Sequence, residues 1–176
     1  MSSNFILWFI GLPCSGKTTL AKILKEKLKE KKILLLDGDE IRRHICSDLD
    51  FSYESRAKSL ERVAHIAKIA NKNGIFSIIS TITPLEIHRE KINKILKSKV
   101  IFIYLDISLE NCINRDVKGM YKMAKEGKIK NFTGIDSPFE VPTNANIIIN
   151  TYENSISESV EKILKYLKTK KNFPST

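Results

Sequence analysis

Residues Gly11 to Thr18, GLPCSGKT, satisfy the spacing G-x-x-x-x-G-K-[ST]. That spacing binds phosphate. Its glycines let successive backbone N–H groups turn toward one anion, and the helix that follows adds the positive end of its dipole. Lys17 is placed to neutralise outer phosphates, and Thr18 to ligate Mg²⁺. The bland alternative is a glycine-rich strand–helix turn that holds nothing. Cys14 reads as a small loop residue.

A second group stands in LLLDGDEIRRHI, residues 34–45. Read as extended chain, Asp37 and Asp39 lie on one side of it, at the carboxyl edge where α/β sheets bind ligands. One carboxylate can orient Mg²⁺ through water while the other accepts the proton of an attacking hydroxyl. D-G-D equally suits a helix cap and a turn. The phosphate loop beside it favours chemistry. No N-K-x-D guanine signature is present, and a chain of 176 residues is short for a motor ATPase. A kinase of small molecules fits best.

Elements that must position these groups alternate along the chain. Apolar runs predict strands at 5–11, 33–39, 75–81, 100–106 and 145–151. Amphipathic stretches predict helices at 18–32, 52–74, 85–99, 108–115 and 155–171. Continuous β-rich runs between helices imply a parallel sheet covered on both faces. The fold class is α/β, in one domain over residues 1–176. Residues 116–143 carry no strand and separate the last two, a length typical of a lid. Within them NFTGIDSPFEVP, residues 131–142, holds Phe132 and Phe139 on a proline-punctuated frame. Such rings either anchor the loop to a core or await a flat ligand.

Composition narrows the classes. A 42% hydrophobic chain can bury a core. No apolar run is long enough to span a membrane, and FILWFIGL lacks the basic flank of a signal peptide. Cys14, Cys46 and Cys112 have no metal or CxxC spacing, which fits reduced thiols in a cytoplasm. The net charge of +10 attracts anions. Its lysines are spread along helices as solvated faces, so no nucleic-acid surface and no membrane partner is expected. Lys122, Lys125, Lys128 and Lys130 read as lid surface. His44, His65 and His88 have no ligand spacing. A non-catalytic nucleotide sensor and a nucleic-acid-stimulated ATPase are the rival classes.

GLPCSGKTT, LDGDEIR, DLDFSYESR, TITP, RDVKGMYKMAKEGKIKNFTGIDSPFEVP and the closing IIINT occur in the order seen in adenylylsulfate (APS) kinases. From about Phe5 to Thr151 the chain resembles that family. The resemblance implies a P-loop kinase fold, a three-layer sandwich with a five-stranded parallel sheet, helices on both faces and a lid. The implied reaction moves the γ-phosphoryl of Mg·ATP to the ribose 3′-hydroxyl of adenosine 5′-phosphosulfate. By the same resemblance Gly11, Pro13, Cys14, Ser15, Gly16, Lys17, Thr18 and Thr19 hold ATP phosphates. Asp37 and Asp39 match the acidic pair, with Asp39 nearest the 3′-hydroxyl and either one meeting the metal through water. Arg42 and Arg56 match arginines on the 5′ anhydride. Phe51 and Phe132 match aromatics that enclose the base. Ile82, through its backbone, and Thr83 sit where the family contacts substrate. Arg115 and Lys118 begin the lid and meet transferring phosphates or substrate ribose. The bland rivals are a solvated helix residue for Arg56 and a core residue for Phe51. Phe139 reads as the anchor returning the lid to the core.

Departures fall on the acceptor half. Ser59 stands where the family has Asn, and Thr83 where it has Ser. The chain begins almost at strand one, whereas most members carry a preceding segment that helps form the substrate side and the dimer. The resemblance implies a nucleotide substrate and a homodimer. The departures also admit a second acceptor, cytidine diphosphoramidate, used by short APS-kinase-like enzymes of capsule modification. Stacking tolerates either base.

Overall fold

The computed structural model describes residues 5–97 and 99–170. Ser98 of the helix expected over 85–99, Lys171 of the closing helix, and the chain ends lie outside the described residues. Twelve elements follow in order: β1 (Ile6–Ile10), α1 (Lys17–Lys27), β2 (Ile33–Asp37), α2 (Gly38–His44), α3 (Tyr53–Lys72), β3 (Phe76–Ser80), α4 (Glu86–Leu96), β4 (Val100–Asp106), α5 (Leu109–Arg115), α6 (Met120–Lys125), β5 (Ile147–Asn150) and α7 (Ile156–Lys168).

β1 has no charged side chain and all five of its residues are buried. Such a strand must lie at the centre of a sheet covered twice. It does: the order is β2-β3-β1-β4-β5, and every pairing is parallel. Alternate residues of β1 serve opposite layers. Ile6, Trp8 and Ile10 pack with Leu60, Val63 and Ala64 of α3 and Ile92 and Leu96 of α4. Leu7 and Phe9 pack with Leu20 and Leu24 of α1 and Val160, Ile163 and Leu167 of α7. Each such buried side chain contributes roughly 1.5–3 kcal/mol of transfer free energy. The three-layer α/β fold expected from the sequence is the fold observed.

Helix starts follow capping chemistry. Ser52 accepts from Ser55 N–H at the head of α3. Ser155 and Glu158 form a reciprocal capping box at α7. α1 ends at Lys27, short of the expected 32, because the chain turns there into β2 and Lys31 N–H closes on Leu28 O.

The 33–39 strand needs a larger correction. β2 stops at Asp37, and α2 begins at once. Asp37 caps that helix, its carboxylate accepting from Asp39 N–H at 3.1 Å. Asp37 and Asp39 therefore do not share one side of an extended segment; they flank a strand–helix junction.

A third apolar cluster lies under the 116–143 connection. Leu12, Ile107, Cys112, Tyr121, Ala124 and Phe132 form it. Strand five of the sheet follows that connection, and α6 lies inside it.

Candidate active site

The phosphate loop leaves the carboxyl end of β1 and enters α1. Gly11 is required by close approach: a Cβ there would lie 2.7 Å from Ser15 Oγ and 3.2 Å from Leu105 O. Gly16, at φ 98°, turns the chain into the helix through a left-handed conformation that its missing side chain permits. Lys17 is buried and folds back over the loop. Its ammonium donates to Gly11 O at 3.0 Å, Leu12 O at 2.6 Å and Ser15 Oγ at 3.3 Å. Burial pushes its pKa down to about 8.

Next to it, Thr18 Oγ1 donates to Asp37 Oδ2 at 2.6 Å and lies 3.2 Å from Ser80 Oγ. Sheet register explains the third member, since Asp37 of β2 pairs with Ser80 of β3. Ser80 escaped the sequence reading. The available signal was a polar residue ending an apolar strand. Two hydroxyls and a carboxylate thus converge at the mouth of the loop. Among the described residues no group of three or more His, Cys, Asp or Glu side chains could cage a metal.

Asp39 faces outward and forms an ion pair with Lys118. Both side chains are exposed, so the pair adds little stability. It joins α2 to the start of the 116–143 connection. Contact with Asp39 raises the Lys118 pKa. Arg42 lies one turn beyond Asp39 on the same helical face.

The acceptor-side candidates gather around residues 50–56. Arg42 donates to Asp50 O at 2.9 Å, and its guanidinium stands 4.4 Å from the centre of the Phe51 ring. Arg56 donates from Nε to Phe51 O at 3.0 Å, from one terminal nitrogen to Thr133 Oγ1 at 2.6 Å, and from the other to Asn131 O. Burial, then the Arg42 charge, lowers the Arg56 pKa, so two cations press on one another here. The Ser52 hydroxyl holds the Asp50 carboxyl down to about 2 and fixes this turn. Phe51 is 48% exposed, an open platform.

Phe132 is placed otherwise. Only 6% of it is exposed, and it meets Tyr121 edge-to-face at 5.0 Å. The two rings thus differ in setting: Phe51 is exposed, while Phe132 is buried against Tyr121. Tyr121, also missed from sequence, donates from its hydroxyl to Pro13 O at 3.1 Å. Phe139 packs on Tyr104, with rings 6.1 Å apart and 25° from parallel.

Four further candidates are held by bonds and packing within the protein. The Ile82 carbonyl accepts from Gly11 N–H at 3.4 Å, so it faces the phosphate loop. Thr83 is 1% exposed and bonded within the core. Ser59 is buried in α3. Arg115 donates to Thr151 O at 2.6 Å, while Thr151 Oγ1 donates to Ser15 O at 3.0 Å. Ser15, Gly16, Thr19, Arg115, Thr151 and Asn154 line a cavity of about 200 Å³ beside the loop. A polar cavity of about 330 Å³ between α4 and the approach to β5, lined by Glu86, Arg89 and Asn146, touches none of the phosphate-loop residues. Cys14 adopts φ 62° inside the loop and packs against the third cluster.

This arrangement can hold a nucleoside triphosphate by its phosphates and present an anionic nucleotide to it. Comparisons with known proteins agree. The family model described as adenylylsulphate kinase matches residues 3–150. An adenylyl-sulfate kinase of Thermodesulfovibrio yellowstonii is 42% identical over 170 residues, covering 95% of this chain and 85% of that one. One of Clostridium acetobutylicum is 43% identical, covering 94% and 84%. The solved structure of a Mycobacterium tuberculosis APS kinase in complex with AMPPNP and APS superimposes with a TM-score of 0.91 at 32% identity, over 96% of this chain and all of that one. A sugar kinase from Janibacter, 16% identical with a TM-score of 0.70, shares the fold alone. By the family match and by relatives aligned over most of their length, this chain belongs to the adenylylsulfate kinase family.

Proposed function

We propose that this protein phosphorylates the ribose 3′-hydroxyl of adenylylsulfate with ATP, giving 3′-phosphoadenylylsulfate and ADP. One observation carries the reading. The Thr18–Asp37 bond joins the phosphate loop to the helix that bears Asp39 and Arg42, and Arg42 covers the exposed Phe51 ring. Donor phosphates and an aromatic, cationic acceptor site thus adjoin.

The roles follow from position. Lys17 exchanges two loop carbonyls for phosphate oxygens and takes charge off the transferring group. The loop N–H groups and the start of α1 do the same. Asp39 accepts the proton of the 3′-hydroxyl as its oxygen bonds to the γ-phosphorus and the bond to the β-phosphate oxygen breaks. Lys118 pairs with Asp39 across the start of the 116–143 connection. Phe51 stacks on the base, and Arg42 and Arg56 hold the 5′ anhydride between two otherwise repelling cations. Arg115, with Thr151, lines the cavity beyond the phosphate loop and steadies the ATP end.

Thr18, Asp37 and Ser80 are hard oxygen donors of the kind that suits Mg²⁺ and would hold it at the mouth of the loop. Asp39 adds a second carboxylate that can reach it through water. When bound, the ion would neutralise negative charge on the phosphates during transfer. Residues 116–143 act as a lid that excludes competing water. The homodimer and the cytoplasmic setting rest on the family resemblance; among the described residues no helix is long and apolar enough to cross a membrane.

The product tests this directly. Phosphorus NMR of a reaction with ATP and adenylylsulfate should show a new monoester coupled to the ribose H3′. A label that ends on another oxygen, or only as free phosphate, contradicts the reading.

A further inference from the structure

The phosphate loop contains a bend that its own residues do not favour. Ser15 N–H closes on Leu12 O at 3.2 Å, so Leu12, Pro13, Cys14 and Ser15 make a β-turn. Pro13 takes its second position and Cys14 its third, at φ 62°. Proline followed by a positive φ is the type II turn, whose third position calls for glycine or asparagine. Cysteine stands there instead, and such a conformation persists only where surrounding structure over-determines it.

Types I and II differ in which way the central peptide faces. Here that peptide joins Pro13 to Cys14. Its carbonyl accepts from the Tyr121 hydroxyl at 3.1 Å. The peptide is trans, so its N–H points opposite to its C=O. The bond from Tyr121 therefore turns Cys14 N–H away from the third cluster. Among the described residues that N–H has no acceptor. A type I turn would pull the carbonyl off Tyr121 and reverse the N–H.

Tyr121 is held firmly enough to set this choice. It is fully buried in the third cluster and meets Phe132 edge-to-face at 5.0 Å. The Asp116 carboxylate fixes the backbone beneath the ring, accepting from Tyr121 N–H and Lys122 N–H, each at 3.0 Å. Burial pushes the phenol pKa up, so the hydroxyl keeps its proton. A carbonyl can only accept, so that proton is committed to Pro13. A phenylalanine here would keep the ring and lose the bond.

We propose that Tyr121 is a positioning residue for the donor nucleotide: its hydroxyl fixes the Pro13–Cys14 peptide so that Cys14 N–H faces the phosphates. The inference rests on the reading of Gly11 to Thr18 as the donor phosphate site. Because α6 belongs to the 116–143 connection, the same bond ties that segment to the shape of the loop.

The test compares Tyr121→Phe alone and in a Cys14→Gly background, measuring KM for ATP and for adenylylsulfate separately, with melting temperature as a fold check. Tyr121→Phe should raise the ATP KM about 10-fold, the scale of one hydrogen bond to a charged group. The adenylylsulfate KM should stay within about 2-fold, since the lost bond lies in the phosphate loop. In the Cys14→Gly background the same substitution should raise the ATP KM by less than about 2-fold, because glycine holds a positive φ without help. Equal rises in both KM values, or a penalty undiminished in that background, would make Tyr121 a core residue and overturn the proposal. An ATP KM that Tyr121→Phe leaves unchanged overturns it too. A wild-type protein that binds no ATP by calorimetry removes the donor-site reading itself, and this inference with it. Should Tyr121→Phe fail to fold, wild-type protein carrying nitrogen-labelled cysteine still decides. The amide resonance that Cys14→Gly removes should move downfield on saturation with ADP and stay in place with adenylylsulfate alone. An unmoved resonance with ADP overturns the proposal.

Discussion

Thr18 Oγ1 donates to Asp37 Oδ2 at 2.6 Å, and this one bond ties the nucleotide loop to the helix cap that launches α2. Asp37 therefore serves two ends. Its other oxygen accepts from Asp39 N–H and starts the helix. The cap reading of D-G-D thus holds for a carboxylate that also meets the phosphate loop.

Asp37→Asn keeps a side-chain oxygen able to cap but removes the charge. The Mg²⁺ concentration for half-maximal activity should rise ~10–100-fold, the scale for loss of a metal-site partner. The melting temperature should move little, since Asn caps nearly as well as Asp. An unchanged Mg²⁺ dependence would remove Asp37 from the metal site.

Asp39→Ala should lower kcat by ~10²–10⁴-fold, the usual contribution of a general base. ATP binding should survive, because the Lys118 partner is exposed and the pair contributes little to folding. Calorimetry of ATP binding beside a turnover assay separates the two. Retained turnover would sink the base assignment.

Phe51→Ala and Phe132→Ala should part company. Phe51 is 48% exposed, so its loss should spare stability and raise the adenylylsulfate KM. Base stacking of roughly 1–3 kcal/mol corresponds to about 5- to 150-fold. Phe132 is 6% exposed, so truncation should cost roughly 3–5 kcal/mol of stability. It should also disturb ATP binding, because its neighbour Tyr121 is bonded to Pro13. A stable Phe132→Ala variant with only the acceptor KM raised would restore Phe132 to the base clamp.

Lys17 yields a pH prediction. Burial lowers its pKa to about 8 from the ordinary 10.5, so between these values the unfolded chain holds the proton and the ligand-free folded chain does not. Stability rises with pH wherever the unfolded state binds more protons, so this residue's contribution should increase from about pH 8 to about 10.5 and be lowest below 8. Phosphate oxygens favour the charged ammonium. ATP binding at pH 8 should therefore take up protons, read by calorimetry in buffers of different ionisation enthalpy. Lys17→Met should abolish the uptake; persistent uptake would move the proton elsewhere.

What the sequence disclosed follows from how locally each feature is encoded. The phosphate loop needs contiguous residues, so Gly11 to Thr18 was legible outright. The sheet was legible too, because ILWFI and VIFIYLD are apolar at every position that two covering layers demand. Ser80 was not, since its partnership with Asp37 is set by strand register between distant segments. Tyr121 and Thr151 were hidden for the same reason: each meets the phosphate loop across more than a hundred residues of chain. The irregular stretch gave no periodicity from which to read the burial of Phe132 or Phe139; their partners, Tyr121 and Tyr104, are set by packing between distant segments. The 33–39 segment misled because a capping aspartate looks the same as the end of a strand until the next turn is seen.

The central claim concerns the acceptor, and a coupled ADP-release assay decides it. Wild-type protein is offered ATP and Mg²⁺ with either adenylylsulfate or cytidine diphosphoramidate. The account predicts acceptor-dependent ADP release with adenylylsulfate, and a far lower kcat/KM with the cytidine compound. Preferential turnover of cytidine diphosphoramidate, or ADP release indifferent to either acceptor, would contradict it.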